Sequence, residues 1–400
     1  MRKLLIFMVV ISFTGILSGQ KPVDFLLKGK AFIDAGRSED AINLLTEGLQ
    51  SFNESSLYLQ RAEAYMLKGE YSQAISDLNS ANKLDPSSGE YGLARIYGLK
   101  GVAATAVYHL EANLKSPYKK SEKEIMLDPS FSTIENRTEW RQFWQKEWYG
   151  NAERGVSEIE YYISTGNTGE ARSVLSGLTG EYPGDNRIIY AGALLSFAES
   201  KYPEAIKAVS DLLNEDPDNV KYLRFLATTQ EAGGNQAGAS TTYTKLLNLG
   251  VPDAELLLRR AECFRKTGET GKALEDVSKY LDLYPADKKA LGFAGKVESA
   301  SGDNIKALDY FSQNLKLHPN DAQCYIDRAN SYFLSGSWNW AIKDYSMSLD
   351  LQPENSEAWL NKGISLLNSG NTNDACHDFR KAFNLGNKKA TELISRNCIK

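Results

Sequence analysis

Residues 325–353 read YIDRANSYFLSGSWNWAIKDYSMSLDLQP. Apolar residues fall at helical spacing on both sides of Gly336, which indicates two helices. Glycine adopts the left-handed backbone that ends the first helix at little cost, and Pro353 prevents the second helix from continuing. Small residues, Ala329 and Ala341, lie where the two helices would approach each other most closely. The stretch therefore predicts an antiparallel helix pair.

The same arrangement recurs every 34 residues through the C-terminal part of the chain. The alanines that mark the period are Ala171, Ala205, Ala239, Ala273, Ala307, Ala341 and Ala375. A glycine precedes each of them by five residues, except at Ser200, and a small residue precedes each by twelve, except at Ile159. A fixed period between 20 and 50 residues indicates a repeat architecture. We therefore expect stacked helix pairs in a solenoid.

The pattern resembles that of the tetratricopeptide repeat family. Two copies match it at Tyr325, Ala329, Tyr332, Ala341, Tyr345 and Pro353, and at Trp359, Gly363, Leu366, Ala375, Phe379 and Ala382. Three looser copies precede residue 118. The resemblance implies an all-α fold, an α-solenoid of about ten antiparallel helix pairs with a C-terminal capping helix and one helical insertion.

The pattern divides the chain into five segments. They are a signal peptide at 1–20, repeats one to three at 21–117, an aromatic insertion at 118–151, repeats four to ten at 152–387 and a capping helix at 388–400.

The N-terminus has the features of a secretory signal peptide. Arg2 and Lys3 precede an apolar run, Leu4 to Ile16, and a small-residue exit follows at residues 17–19. The run is too short to span a membrane, and Gln20 stands where a lipidated cysteine would be needed. We expect an exported protein without a lipid anchor or membrane span, in the periplasm, secreted, or associated with the outer membrane.

The insertion contains Trp140, Trp144 and Trp148 at intervals of four residues. A helix beginning near Thr138 would place the three indoles on one face. The sequence leaves two interpretations open. The segment is either a plug that covers the end of repeat three and seats repeat four, or an exposed aromatic patch for a partner.

Composition argues against several function classes. The formal net charge is −5, and a nucleic-acid-binding protein would need a basic surface. The three histidines lie far apart in the chain and have no partner at metal-ligand spacing. We therefore expect no metal, no cofactor and no catalytic site.

Four cysteines are present, and export would permit disulfides. Cys376 begins the second helix of the last repeat, and Cys398 ends the capping helix expected to lie against it. We expect these two to pair. Cys263 and Cys324 lie two repeats apart, too far for a bridge, so we expect buried free thiols.

The family resemblance implies a protein or peptide ligand in the concave groove lined by the first helix of each pair. The repeat register places seven candidate residues there: Ile163, Arg187, Tyr190, Leu194, Phe197, Lys221 and Arg224. An apolar stretch followed by basic residues suits an extended ligand with apolar anchors and an acidic end. The alternative is that Tyr190 and Phe197 only pack between repeats.

Three functions remain open. The sequence favours a non-catalytic interaction scaffold in the bacterial cell envelope. A hydrolase with a site at 118–151 and a purely structural spacer are the alternatives.

Overall fold

The computed structural model describes residues 21–398, so the expected signal peptide lies outside the described residues. Within that range the chain forms 23 α-helices and one short 3-10 helix, with no strand. Twenty of the helices pair as neighbours in sequence. The predicted all-α solenoid of helix-pair repeats is confirmed.

The chain separates into two compact units, one ending at Trp148 and the other beginning at Tyr149. The N-terminal unit contains α1 (Pro22–Asp34), α2 (Ser38–Ser51), α3 (Ser55–Leu67), α4 (Tyr71–Leu84), α5 (Glu90–Leu99), α6 (Ala103–Leu114), α7 (Glu122–Met126), the 3-10 helix (Pro129–Phe131) and α8 (Thr138–Trp144). The first six helices are repeats one to three.

The C-terminal unit contains seven further helix pairs and a short last helix. They are α9 (Asn151–Ser164), α10 (Thr168–Glu181), α11 (Asn186–Ala198), α12 (Tyr202–Glu215), α13 (Val220–Ala232), α14 (Gln236–Asn248), α15 (Glu255–Lys266), α16 (Thr270–Leu283), α17 (Lys288–Ser301), α18 (Asn304–Leu317), α19 (Ala322–Leu334), α20 (Trp338–Leu351), α21 (Ser356–Asn368), α22 (Thr372–Asn384) and α23 (Ala390–Asn397).

The turn inside each helix pair is left-handed. Gly336 has φ +70°, and Ser200, the exception in the glycine series, has φ 60°. A residue with a Cβ is strained in this region, so the fold imposes the turn geometry even where the sequence lacks a glycine.

The small residues mark the closest helix contacts. All seven alanines of the 34-residue series have zero exposure. A Cβ added to Gly295 would lie 2.5 Å from Phe311, and one added to Gly363 would lie 2.6 Å from Phe379. These two positions leave no space for a side chain. Ile159, the misfit of the small-residue series, is itself fully buried.

A buried ion pair recurs inside the repeats. It joins the first helix to the second in Arg61–Asp77, Arg260–Asp276 and Arg328–Asp344, and each arginine donates two hydrogen bonds to its carboxylate. A third arginine nitrogen donates to a hydroxyl on the preceding repeat, as Arg328 does to Ser312 at 3.1 Å. Each pair therefore connects three helices.

The insertion packs on repeat three inside the N-terminal unit. The 3-10 helix contacts α5, and α8 contacts α6. Phe131 and Ile134 are fully buried there. The sequence predicts that the insertion ends at residue 151; the boundary between the units falls after Trp148, and α9 begins at Asn151.

The last helix, α23, packs on α22. A disulfide joins Cys376 of α22 to Cys398 after α23, with 5.6 Å between the Cα atoms. Closing a loop of 22 residues contributes about 3 kcal/mol in the chain-entropy estimate.

Candidate ligand groove

Two first helices, α11 and α13, position the central part of the predicted groove. Asp185 accepts a hydrogen bond from the Arg187 backbone at the start of α11, and Asn219 accepts one from the Tyr222 backbone at the start of α13. These side chains fix where each helix begins. A cavity of about 490 Å³ lies at this place, lined by Tyr190, Val220, Lys221, Arg224, Phe225 and Thr228.

The floor of the cavity is aromatic. Tyr190 is 6% exposed, and its ring centre lies 5.3 Å from that of Tyr222 and 5.4 Å from that of Phe225. Burial, with a smaller effect of the Glu160 charge, raises the pKa of Tyr190 to about 12. Tyr190 therefore remains neutral at physiological pH and offers a ring face rather than a charge.

The rim of the cavity is cationic. The Lys221 ammonium lies 4.3 Å from the centre of the Tyr190 ring, and Arg224 forms an ion pair with Asp253. Lys221 has no carboxylate partner among residues 21–398. The cavity thus combines an apolar floor with a cation whose charge is not neutralised by the protein.

The remaining predicted groove residues do not line this cavity. Ile163, Leu194 and Phe197 are half-buried and pack against the core clusters of their repeats. Arg187 is exposed and turns back to Asp185, with 2.6 Å between Nη2 and Oδ2. The structure therefore brings together Tyr190, Lys221 and Arg224 and leaves the other four outside.

Tyr190 also packs between repeats, as the alternative interpretation proposed. The two interpretations are compatible, because Tyr190 contacts Tyr222 and Phe225 of α13 and also lines the cavity.

Sequence reasoning missed Val220 and Phe225. Phe225 follows Arg224 directly and was assigned to no groove position. Its burial at 8% exposure comes from contacts with Tyr190 and with Phe197, whose ring centre is 5.9 Å away. Phe225 would have been included if the repeat alignment had also been used to identify side chains that face the preceding repeat.

Of the two interpretations of the insertion, the exposed aromatic patch is wrong for Trp140. This residue is 5% exposed, and its ring centre lies 5.3 Å from that of Phe131 and 6.0 Å from that of Phe143. The predicted helix does begin at Thr138, but it ends at Trp144. Trp144 and Trp148 are half-buried, and the Trp148 indole N–H donates to the Phe143 carbonyl at 2.8 Å. The indoles form an internal cluster that covers repeat three.

Comparison with known proteins gives a family match for part of the chain. A family model described as tetratricopeptide repeat matches residues 26–89, and seven of the ten helix pairs have the 34-residue period of that pattern. Residues 26–89 therefore match the tetratricopeptide repeat (TPR) family, and the helix pairs of the described residues have the TPR fold. A search of the curated proteins finds no match.

Solved structures of TPR proteins are similar to this chain. The C-terminal part of a TPR repeat-containing protein from Cytophaga hutchinsonii is 15% identical, with a TM-score of 0.51, over 59% of this chain and 98% of that one. A tetratricopeptide repeat protein from Parabacteroides merdae is 20% identical, with a TM-score of 0.47, over 62% and 99%. YrrB, described as a TPR protein with an unusual peptide-binding site, is 16% identical, with a TM-score of 0.40, over 48% and 98%.

Two cysteines of the described residues lie outside the disulfide. Cys263 and Cys324 are buried free thiols, and burial raises their pKa to about 11 and about 12. No group of three His, Cys, Asp or Glu residues in the described part of the chain is arranged to hold a metal ion. Within residues 21–398, no helix is both long enough and apolar enough to cross a membrane.

Proposed function

We propose that this TPR protein is a non-catalytic interaction scaffold of the bacterial cell envelope that binds an extended peptide segment of a partner. The observation that supports this most strongly is the cavity between α11 and α13, where Tyr190 and Phe225 form an apolar floor beneath Lys221. A peptide that places an apolar side chain in the cavity and a carboxylate beside Lys221 is complementary to both.

The positive charge at the rim of the cavity favours a ligand with a negative charge. Arg224 is already paired with Asp253, whereas Lys221 faces a ring that attracts a cation without neutralising it. An acidic ligand gains from Lys221 and loses no existing ion pair. A basic ligand would be repelled by the same groups.

The insertion supports a scaffold rather than an enzyme in the residues that the structure describes. Asp128, Ser130 and Thr133 direct their polar side chains into contacts with α5 or with the turn of the 3-10 helix. These groups hold the plug in place, which is a structural role.

Selection from a displayed library of random 12-residue peptides tests the proposal. The target is the chain from residue 21 to residue 400, and the recovered sequences are resynthesised with a fluorophore for anisotropy. We expect acidic sequences with one or two large apolar residues. Lys221→Glu should weaken their binding at least tenfold.

Lys207→Glu is the matched control, because Lys207 is an exposed residue on α12, the second helix of repeat five. It makes the same change in net charge away from the cavity. Equal weakening by both variants would show that the binding depends on overall charge and would contradict a site at Lys221.

Export is a separate part of the proposal, and it rests on the N-terminal sequence alone. Expression of the complete chain in a Gram-negative host, followed by fractionation and mass spectrometry of the N-terminus, tests it. A mature chain beginning near Lys21 in the periplasmic fraction is expected. An uncleaved chain in the cytoplasm would contradict it.

A further inference from the structure

A second cavity, of about 530 Å³, lies in the N-terminal unit. Its walls come from α3 and α5, the first helices of repeats two and three, and from the start of the insertion. The residues used below are Glu63 and Met66 of α3, Tyr91 and Arg95 of α5, and Lys120 and Glu124 of the insertion. Because the insertion supplies one wall, a regular repeat array would not form this cavity.

Arg95 is held in place by the insertion. Its Nε lies 3.0 Å from Asp128 Oδ2 and 3.3 Å from Ser130 Oγ, and the Tyr91 hydroxyl donates to the same Asp128 oxygen at 2.8 Å. Burial alone would raise the pKa of Asp128, but hydrogen bonds from Ser130 and Tyr91 and the Arg95 charge hold it below its usual value. The carboxylate that positions Arg95 is therefore ionised.

The remaining donors of Arg95 are available. All its contacts in the described part of the chain are made by Nε, and neither terminal nitrogen has a protein partner there. Two parallel N–H groups on a fixed guanidinium match a carboxylate, which they bind in a bidentate manner.

The α3 wall of the cavity carries the complementary charge. Glu63 is exposed and has no ion-pair partner among residues 21–398. By contrast, Lys120 is engaged, with 2.8 Å to Glu124 and 5.4 Å to the Tyr91 ring centre. The cavity thus offers one carboxylate without a cation and one arginine with unused donors.

The spacing of these two groups sets the size of a ligand. Glu63 directly follows the buried Ala62, and Arg95 directly follows the buried Ala94, so they occupy the same position in consecutive first helices. Packed helix axes lie about 8–10 Å apart. An extended chain rises about 3.3–3.6 Å per residue, so two or three residues span that distance. Cavities of about 300–1,000 Å³ are typical of small-ligand sites.

We propose that this cavity binds a short zwitterionic peptide, with its terminal carboxylate on Arg95, its terminal ammonium on Glu63 and an apolar side chain against Met66. The site is separate from the groove between α11 and α13 and does not depend on that groove binding a partner.

Calorimetric titration of residues 21–400 with the unblocked tripeptide Ala-Leu-Ala tests this. The matched probes are its N-acetylated form, its C-terminal amide and free leucine. We expect the unblocked peptide to bind, and each blocked form to bind at least tenfold more weakly. No heat at 10 mM peptide, equal binding of the blocked forms, or equal binding of leucine would each overturn the proposal.

Variants assign the two ends of the peptide. Arg95→Gln should abolish the preference for the free carboxylate, and Glu63→Gln the preference for the free ammonium. Arg95→Lys, which keeps the charge without the paired donors, should retain part of the carboxylate preference and thereby exclude misfolding as the cause. Arg137→Gln, at an exposed position of the insertion, should bind as the wild type does. Preferences unchanged in both Gln variants would overturn the assignment.

The Lys221→Glu variant distinguishes this proposal from the proposed peptide site between α11 and α13. Lys221→Glu lies in the other unit and should bind the tripeptide as the wild type does. Loss of tripeptide binding in Lys221→Glu would contradict a site at Arg95.

Discussion

The ammonium of Lys221 lies 4.3 Å from the centre of the Tyr190 ring, and the two residues belong to consecutive repeats. Such a contact is worth about 0.5–1 kcal/mol at an exposed site. It therefore orients the lysine over the cavity without burying its charge. Tyr190 contributes to the fold as well as to the site, and the two contributions can be separated by experiment.

We predict that Tyr190→Ala weakens the packing between α11 and α13 by about 3–5 kcal/mol, the range for removal of a large buried aromatic side chain. Hydrogen exchange in these helices measures the loss. Tyr161→Ala is the control, because Tyr161 is 62% exposed and its removal should change exchange little. Unchanged protection in Tyr190→Ala would show that the ring contacts to Tyr222 and Phe225 contribute nothing.

Two buried tyrosines should make the C-terminal unit less stable as the pH rises above 10. Burial is the largest cause that raises the pKa of Tyr190 and of Tyr243 to about 12 from the ordinary value of 10.0. The unfolded chain therefore loses these protons first, and the stabilisation present below pH 10 is lost as pH rises from 10 to 12. We expect a loss of about 1 kcal/mol per tyrosine at pH 11.

Urea unfolding of this protein between pH 8 and pH 11 measures the effect. The double variant Tyr190→Phe and Tyr243→Phe should lose less stability over that range than the wild type. The Tyr243 hydroxyl donates to Glu231 at 2.9 Å, so this variant should also be less stable at pH 8. Parallel pH profiles would contradict the assignment to these two residues.

The recurring ion pair predicts that removal of its carboxylate strongly destabilises the repeat. Asp344 accepts from Arg328 Nε at 2.6 Å and from Nη2 at 2.9 Å, and its side chain is 4% exposed. Asp344→Ala leaves the half-buried Arg328 guanidinium without its partner, and we expect a cost of about 3 kcal/mol, the low end of the range for a broken buried pair. Local exchange in α19 and α20 is the measurement, because repeats unfold in part independently.

Asp350→Ala is the matched control for that variant. Asp350 is exposed on the same helix, α20, and makes no ion pair in the described part of the chain. Equal effects of the two substitutions would contradict a special role for the buried pair.

Substitution by alanine at two glycines on α17 should change the stability of the protein in opposite directions. A Cβ at Gly295 would lie 2.5 Å from the fully buried Phe311, whereas one at Gly292 would meet only the Asn314 amide nitrogen at 3.5 Å. We expect Gly295→Ala to destabilise by about 1–3 kcal/mol. Gly292→Ala should stabilise by about 0.5–1 kcal/mol through helix propensity. Paired urea midpoints measure both, and the same sign for the two would contradict the packing.

The repeat period predicted most of the fold because each recurring residue type has a physical reason in backbone conformation or helix packing. Glycine supplies the left-handed turn, and alanine permits the close helix contact. Ser200 shows the limit of such rules, since its φ of 60° follows from the surrounding helices rather than from its own preference.

The sites were less predictable, because they depend on contacts between different helices. Spacing alone placed Trp140 and Trp148 on one face, but α8 ends at Trp144 and the chain returns to bury both rings in part or whole. The Arg95–Asp128 contact joins a regular helix to an irregular segment, so no period predicts it. The groove register applied to repeat three would have named Arg95, which follows Ala94 as Leu194 follows Ala193.

A charge exchange between protein and ligand tests the central claim most directly. The probe is an acidic peptide selected on the wild-type chain, together with a copy in which its acidic residue is replaced by lysine. We predict that Lys221→Glu binds the lysine copy at least tenfold more tightly than the acidic peptide, the reverse of the wild-type order. The same order of affinities in both proteins would contradict recognition of the ligand at Lys221.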